Sequence, residues 1–410
     1  MRLTGLFPLV ALALPVVSGA AQTAAPSFGV RDAVAIARAR HPLVDAAGGR
    51  RMMVEGSARQ AAAWANPTVE WRSENLSSPL MTDEFLVASV PIDLTFRRAA
   101  LGDARTAAVA RARADSTTVM RTVELEAARA YWKAALADAL AEVASAQRQA
   151  LEGIAEFDAA RLREGAVAEA AAMRTRLEAD RSRMTEASAR AEAFRSRAEL
   201  ARAIGIPVDS VPAPTEFPVM PGEALPDPDS VMRAALATRP ELAAAREAVR
   251  EARSHASAAR RGVLGDVALI AGMKRTGGYD TRVLGVAVPL PLFDWNGGAR
   301  EAAAGEVRMA AALARDAEAR VRADVLSSLA SYVALRSAAP MAAEARLDER
   351  GSEIARIALA AYREGGASLV ELLEAQRAAA DARATLLRWS VDVRLAKLDL
   401  ERATGAPIVE

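Results

Sequence analysis

The sequence of 410 residues contains no cysteine and only two histidines, His41 and His255. The first absence excludes disulfides, thiolate metal sites, a cysteine nucleophile and a lipid joined through an N-terminal cysteine. The two histidines occupy unrelated places along the chain, and neither has a second histidine at ligand spacing, so no metal site is expected. The net charge is only +1. A chain so balanced has no large field of one sign for nucleic acid or an acidic partner. No stretch beyond Val17 stays apolar for ~20 residues, so no membrane-spanning helix is expected. The run "FDWNGG" (293–298) lacks the lysine and serine of a phosphate cradle. No Ser/His/Asp or paired-carboxylate constellation emerges either. Catalytic residues: none; cofactors: none; the chain does not read as an enzyme.

What is present begins with the N-terminus. Arg2, an apolar run from Leu6 to Val17 and the small residues Ser18-Gly19-Ala20 follow the order of an export signal. Residues 1–20 are therefore expected to be a signal peptide.

A duplication organises the rest. "ARHPLVDAA" (39–47) matches "ATRPELAAA" (237–245), and Val90-Pro91 matches Val288-Pro289, both at an offset of 198. "LREGA" (162–166) matches "YREGG" (362–366), and "AIGIP" (203–207) matches "ATGAP" (403–407), both at 200. Four landmarks in one order define a repeat far longer than a solenoid unit. The expected organisation is a first repeat over 21–204, a proline-rich connector over 205–229 and a second repeat over 230–410.

Each repeat reads as helix, two strands, very long helix, turn, helix. In the first, helices are expected near 30–64, 97–163 and 167–204, with strands near 67–75 and 84–92. In the second, helices fall near 230–262, 298–363 and 367–403, with strands near 266–274 and 282–290. Pro240 and Pro340 are expected to kink or break their helices. A helix of that greatest length spans ~100 Å, and the two shorter ones laid end to end span about the same. Matched lengths suit the wall of a tube. Leu369, Leu373, Gln376, Ala380, Ala384 and Leu387 keep one stripe of the last helix mostly apolar, as packing against a neighbouring helix requires.

The strands alternate. Val69, Trp71 and Ser73 share one side, as do Val267, Leu269, Ala271 and Met273, and likewise Leu284, Val286 and Val288. Strands of ~9–11 residues with one apolar face fit a transmembrane barrel. Four strands cannot close a barrel, and an open edge in lipid leaves backbone groups unpaired. Several chains must then share one barrel, and three would supply twelve strands. Pro289, Pro291 and the Asn296-Gly297-Gly298 run would end the ladder and turn the chain into the next helix.

These landmarks resemble the TolC-type outer membrane efflux protein family. The carriers are "AVAIARARHPLV" and "AWANPTV" near the N-terminus, "VAVPLPLFDWNGGAREAAAGEV" (286–307) and "YREGGASLVELLEAQRAAADA" (362–382). The Pro-Leu-Phe-Asp-x-Asn-x-Gly run is most similar to the heavy-metal-exporting, CzcC/CusC-like branch. The resemblance implies a mostly α fold with a membrane β-barrel: a homotrimer with a long α-helical barrel in the periplasm and a twelve-stranded β-barrel, four strands per chain, in the outer membrane. It implies the passive exit duct of a tripartite efflux pump, partnered by a periplasmic adaptor, an inner-membrane transporter of the RND type and outer membrane lipid. Heavy-metal cations are the implied cargo. It places adaptor docking at Leu162, Arg163, Gly165 and Ala168 in the first repeat, where Ala172 and Met173 replace the family's usual branched pair. In the second repeat docking falls on Tyr362, Arg363, Gly365, Ser368, Leu372 and Leu373. The channel gate maps onto Glu371 and Glu374, three apart and so on one helix face. The rival reading is a soluble periplasmic adaptor with a helical hairpin, which would carry a β-rich lipoyl-like domain.

Overall fold

A computed structural model describes residues 27–74, 82–218 and 225–405. The expected signal peptide lies outside the described residues. The first repeat contains α1 (Val30–Arg40), α2 (Pro42–Ala62), β1 (Thr68–Glu74), β2 (Asp83–Ile92), α3 (Arg97–Arg163) and α4 (Glu169–Ile204). The second contains α5 (Pro228–Thr238), α6 (Pro240–Arg261), β3 (Val267–Thr276), β4 (Tyr279–Ala287), α7 (Gly297–Ser337), α8 (Ala339–Ala345), α9 (Leu347–Arg363) and α10 (Leu369–Thr404).

The helices form because alanine, arginine and glutamate dominate them and proline is confined to their first turns. α3 runs unbroken for 67 residues, ~100 Å. Its counterpart in the second repeat is interrupted. Pro340 starts the short α8, and Arg346 at φ 43° and ψ 48° separates α8 from α9. The first helix of each repeat is also split, at His41-Pro42 and Arg239-Pro240, because proline cannot donate to the preceding turn.

Those splits meet the ends of the other short helices. α4 ends at Gly205 (φ 74°) and α10 at Gly405 (φ 72°). A Cβ on Gly205 would lie 3.1 Å from the Cα of His41, and one on Gly405 would lie 2.7 Å from Thr238 Oγ1. Arg239, 6% exposed, donates to the carbonyls of Arg402 and Ala403 (3.3 Å each) and to Asp324 (3.2 Å). The short helices thus stack end to end beside the long ones. The two pairs of sequence landmarks, His/Arg-Pro and Gly-x-Pro, come together because each pair builds one such joint.

Two cores sit at this level. One packs Phe28, Val30, Tyr131, Trp132, Leu200 and Ile204; the other packs Val231, Val321, Val325, Tyr332, Val393 and Leu400. The fully buried Tyr131 donates to the Phe28 carbonyl (2.8 Å) and accepts from the Glu216 amide (3.0 Å), pinning the connector to the long helix.

Above the joint the helices neighbour one another in the order α2, α3, α6, α7. Below it the order is α4, α3, α10, α9. The strands form one antiparallel sheet in the order β1-β2-β3-β4. Each of the three layers therefore has one free edge from the first repeat (α2, α4, β1) and one from the second (α7, α9, β4).

Candidate functional site

The sheet register gathers the alternating residues onto one face. Val69 pairs with Ala88, Trp71 with Leu86, Leu86 with Met273, Val90 with Leu269, Leu269 with Val286 and Ala271 with Leu284. Val69, Trp71, Leu86, Val90, Leu269, Met273, Leu284 and Val286 are all exposed there. Burying each such side chain is worth ~1.5–3 kcal/mol. Eight together rival the whole stability of a domain, ~5–15 kcal/mol, so this face needs an apolar surrounding. The opposite face carries Glu70, Arg72, Phe85 and Lys274, with Arg72 and Lys274 on either side of the Phe85 ring at 5.0 and 4.9 Å. One oily face and one charged face are the two surfaces of a wall between lipid and water.

Each strand pair is coupled to its long helix by the same device. Phe96 (φ 55°) and Asn296 (φ 59°), 200 residues apart, hold the left-handed conformation immediately before α3 and α7. Asp93 accepts from the Thr95 amide (2.9 Å) and the Arg98 amide (2.6 Å); Asp294 accepts from the Asn296 amide (2.8 Å). Asn296 Nδ2 donates to the Ala259 carbonyl (2.7 Å) and Arg261 to the Phe96 carbonyl (3.0 Å), fastening both turns to α6.

At the far end the long helices turn back. Both turns have the same bonds: Gly165 N to Leu162 O (3.0 Å) and Ala166 N to Arg161 O (2.8 Å), Gly365 N to Tyr362 O (3.1 Å) and Gly366 N to Ala361 O (2.7 Å). Gly165 and Gly365 take φ of 73° and 82° there, as this helix-ending motif demands. The repeats then diverge. Ser368 caps α10 reciprocally with Glu371: the Glu371 amide donates to Ser368 Oγ (3.2 Å) and the Ser368 amide to Glu371 Oε2 (2.7 Å). Ala168 gives α4 no side-chain cap. The bonds from Ser368 hold the Glu371 carboxyl below its usual range.

The residues anticipated for docking fall into two groups. Leu162, Arg163, Gly165, Ala168, Arg363, Gly365 and Ser368 are exposed around the two turns. Tyr362, Leu372 and Leu373 are buried in the core of the tip with Leu151, Ile154 and Ala179. Glu371 and Glu374 lie exposed in the first two turns of α10. The corresponding positions of the first repeat are Ala171 and Arg174, so this carboxylate pair belongs to one repeat only.

Sequence reasoning missed a second set. The Tyr362 hydroxyl donates to Asp158 Oδ1 on α3 at 2.7 Å in full burial. Burial, then this bond, pushes the phenol up to about 12. The other Asp158 oxygen is buried with no partner among the described residues. Arg161 lies over the rings of Phe157 and Tyr362, at 5.5 and 6.0 Å. Arg377 on α10 reaches Glu178 on α4 at 2.6 Å, and this contact keeps the Glu178 carboxyl low. Asp158 and Glu178 belong to no motif in the sequence; the tertiary pairing gives them their partners.

Residues 231–406 match the model of the outer membrane efflux protein family. That match spans 176 of the 410 residues, all in the second half of the chain. The fold of the whole chain is similar to solved outer membrane proteins. It aligns with VceC of Vibrio cholerae at 18% identity and TM-score 0.77, covering 92% of this chain and 96% of that one. It aligns with the CmeC outer membrane channel of Campylobacter jejuni at 14% identity and TM-score 0.78, covering 97% and 94%. CusC aligns at 17% identity and TM-score 0.73, covering 93% of each chain. Identities this low establish a shared fold, mostly α with a four-stranded sheet, and no more. No curated protein sequence matches the chain.

Proposed function

We propose that three copies of this chain close into one passive duct through the outer membrane and periplasm. The observation that carries the reading is the set of unmatched edges. Sheet, upper helices and lower helices each end on one side in a first-repeat element and on the other in a second-repeat element. Such edges join head to tail and close into a ring. Exposed apolar side chains line them: Met52 and Met53 on α2, Leu177 and Phe194 on α4, Leu313 on α7, Ile354 and Ile357 on α9. The oily sheet face then lies in the outer membrane, and the helices form the periplasmic tunnel. The rival adaptor reading has no use for that face.

Transport energy comes from an inner-membrane transporter, of the RND type by family resemblance, linked through a periplasmic adaptor. The adaptor docks on the exposed turn residues, chiefly Arg163, Arg363 and Ser368. Tyr362, Leu372 and Leu373 set the shape of that surface from beneath. Docking separates α9 and α10 from α3 and α4, which breaks the Tyr362–Asp158 and Arg377–Glu178 contacts and untwists the tip. Three copies of Glu371 and Glu374 make two carboxylate rings that favour cations. Metal cations are the cargo favoured by the 286–307 run.

The test uses the absence of native cysteine. Ser73→Cys on β1 combined with Leu284→Cys on β4 places one thiol on each edge strand, at the positions that the β2–β3 register carries over to a β4–β1 seam. Oxidation in isolated outer membranes gives cross-linked species up to trimer if the edges meet. Purified protein that stays a soluble monomer without β signal overturns the reading.

A further inference from the structure

The charged face of the sheet changes character along its length. Nearest the helices its rows are small, with Ala268 paired to Ala287 and Ser89 in one row with Gly285. In the row of Glu70, Gly272 leaves no room for a side chain, since a Cβ there would lie 2.3 Å from the Leu86 carbonyl oxygen. The next row outward carries Arg72, Phe85 and Lys274, and the outermost carries Glu74 and Asp83. Bulk and positive charge therefore gather at the end remote from the helices.

These cations are held in place. Arg72 lies 5.0 Å from the centre of the Phe85 ring and Lys274 lies 4.9 Å from it, one from each neighbouring strand. Lys274 also reaches Asp83 at 3.0 Å, and Arg72 reaches Glu74 at 3.2 Å. Each cation thus has an aromatic face to one side and a carboxylate outward of it, two attractions that restrict where it can swing.

Three such sheets in a ring bring six cations and three phenyl rings to one height. Six carboxylates follow one row, ~7 Å, further out along the strands. A wall of twelve tilted strands measures ~24 Å between facing backbones, and side chains on both sides leave about half of that open. The axis then lies within a Debye length of the belt, ~8 Å at physiological salt. A closed ring of one sign sets a potential of several kT. The paired carboxylates offset part of it, leaving about one kT, a factor of ~3 in local ion concentration.

We infer that Arg72 and Lys274, clamped about Phe85, form an exit filter at the outward end of the barrel. It favours anionic groups, carboxylate or phosphate, on the passing cargo and retards bare cations. The inference rests on the duct reading of the chain. It adds a second charge selector, opposite in sign to Glu371 and Glu374 at the far end.

Planar-bilayer recordings of the full chain give the potassium-to-chloride permeability ratio from the reversal potential in a salt gradient. R72Q/K274Q should raise that ratio about threefold, E74Q/D83N should lower it, and R72K/K274R should recover the wild-type value. Opposite shifts from two adjacent rows are a signature that a general loosening of the barrel does not produce. The R72Q/K274Q shift should persist in E371Q/E374Q protein, because the two sites are distant and independent. Should R72Q/K274Q fail to insert, E74Q/D83N carries the test, and an unchanged or raised ratio overturns the filter. Channels whose ratio stays the same in R72Q/K274Q, or moves the same way in both variants, overturn the filter and leave the duct standing. Wild-type protein that gives no channel removes the duct and the filter together.

Discussion

Tyr362→Phe should open the tip. The substitution removes one oxygen and leaves the ring in place over the apolar core of Leu151, Ile154 and Leu372. What is lost is the 2.7 Å bond to Asp158, a fully buried carboxylate whose second oxygen has no partner among the described residues. Removing the donor of a hydrogen bond to a charged group costs ~1.5–3 kcal/mol, the desolvation of the carboxylate it strands included. On the proposed opening both groups would face water, so the cost would fall on the closed state alone. Each ~1.4 kcal/mol is a factor of ten, so the open fraction per subunit should rise ~10–100-fold. Planar-bilayer recording of the purified protein measures this as longer and more frequent openings. Asp158→Asn is the control. Its amide oxygen still accepts from the phenol, so it should open the tip less than Tyr362→Phe. The Tyr362→Phe/Asp158→Ala double variant should open the tip less than Tyr362→Phe alone, since it removes the stranded carboxylate as well. Additive effects of the two changes, or an unchanged record for Tyr362→Phe, would refute the reasoning.

Other outcomes follow from the same geometry. The phenol's raised value gives closure a contribution complete below its ordinary value near 10 and lost as pH rises through about 12, so open probability should not change on this account between pH 6 and 9 and should climb only in strong alkali. Glu371→Gln keeps a capping partner for the Ser368 amide while removing charge, so with Glu374→Gln it should lower cation preference, read as reversal potential in a salt gradient, without lowering helix content. Because Glu371 is held below 4.5, its cap is intact above the ordinary value and fails only as pH falls through the lowered one, so part of the cation preference should survive in mildly acidic buffer. Gly405→Ala introduces a left-handed alanine with its Cβ against Thr238, which should cost ~1–3 kcal/mol and lower the thermal unfolding midpoint of the purified protein.

Long helices were legible because alanine-rich sequence without proline leaves few alternatives: α3 begins and ends where composition places it, at 97 and 163. The two strand faces were legible because alternation survives any small error in strand ends. β4 illustrates such an error. The alternating run suggests 282–290, but the strand is Tyr279–Ala287, since Pro289 cannot join a ladder and the Gly277-Gly278 turn lets pairing begin earlier. The split at Pro42 follows the same rule as Pro240, whereas no residue type announces the left-handed Arg346. At the tip, the turn glycines and the Ser368 cap were visible in local sequence. Asp158, Glu178 and Arg377 were not, because their roles arise between segments some 200 residues apart. Leu373 lay on the apolar stripe read for helix packing, but the burial of Tyr362 and Leu372 was hidden for the same reason: a hydrophobic residue beside a turn looks alike whether it faces a partner or its own core.

The sheet has a consequence for descent. β1 and β2 come from one repeat, β3 and β4 from the other, and the β2–β3 seam inside the chain is the same kind of contact that β4 would make with β1 of a neighbour. Six half-length subunits could close an equivalent wall with six identical seams. Fusing them in pairs makes every other seam covalently supported and frees the halves to drift apart. An acidic pair at 371 and 374 facing alanine and arginine at 171 and 174 is the kind of divergence that a ring of identical halves would forbid.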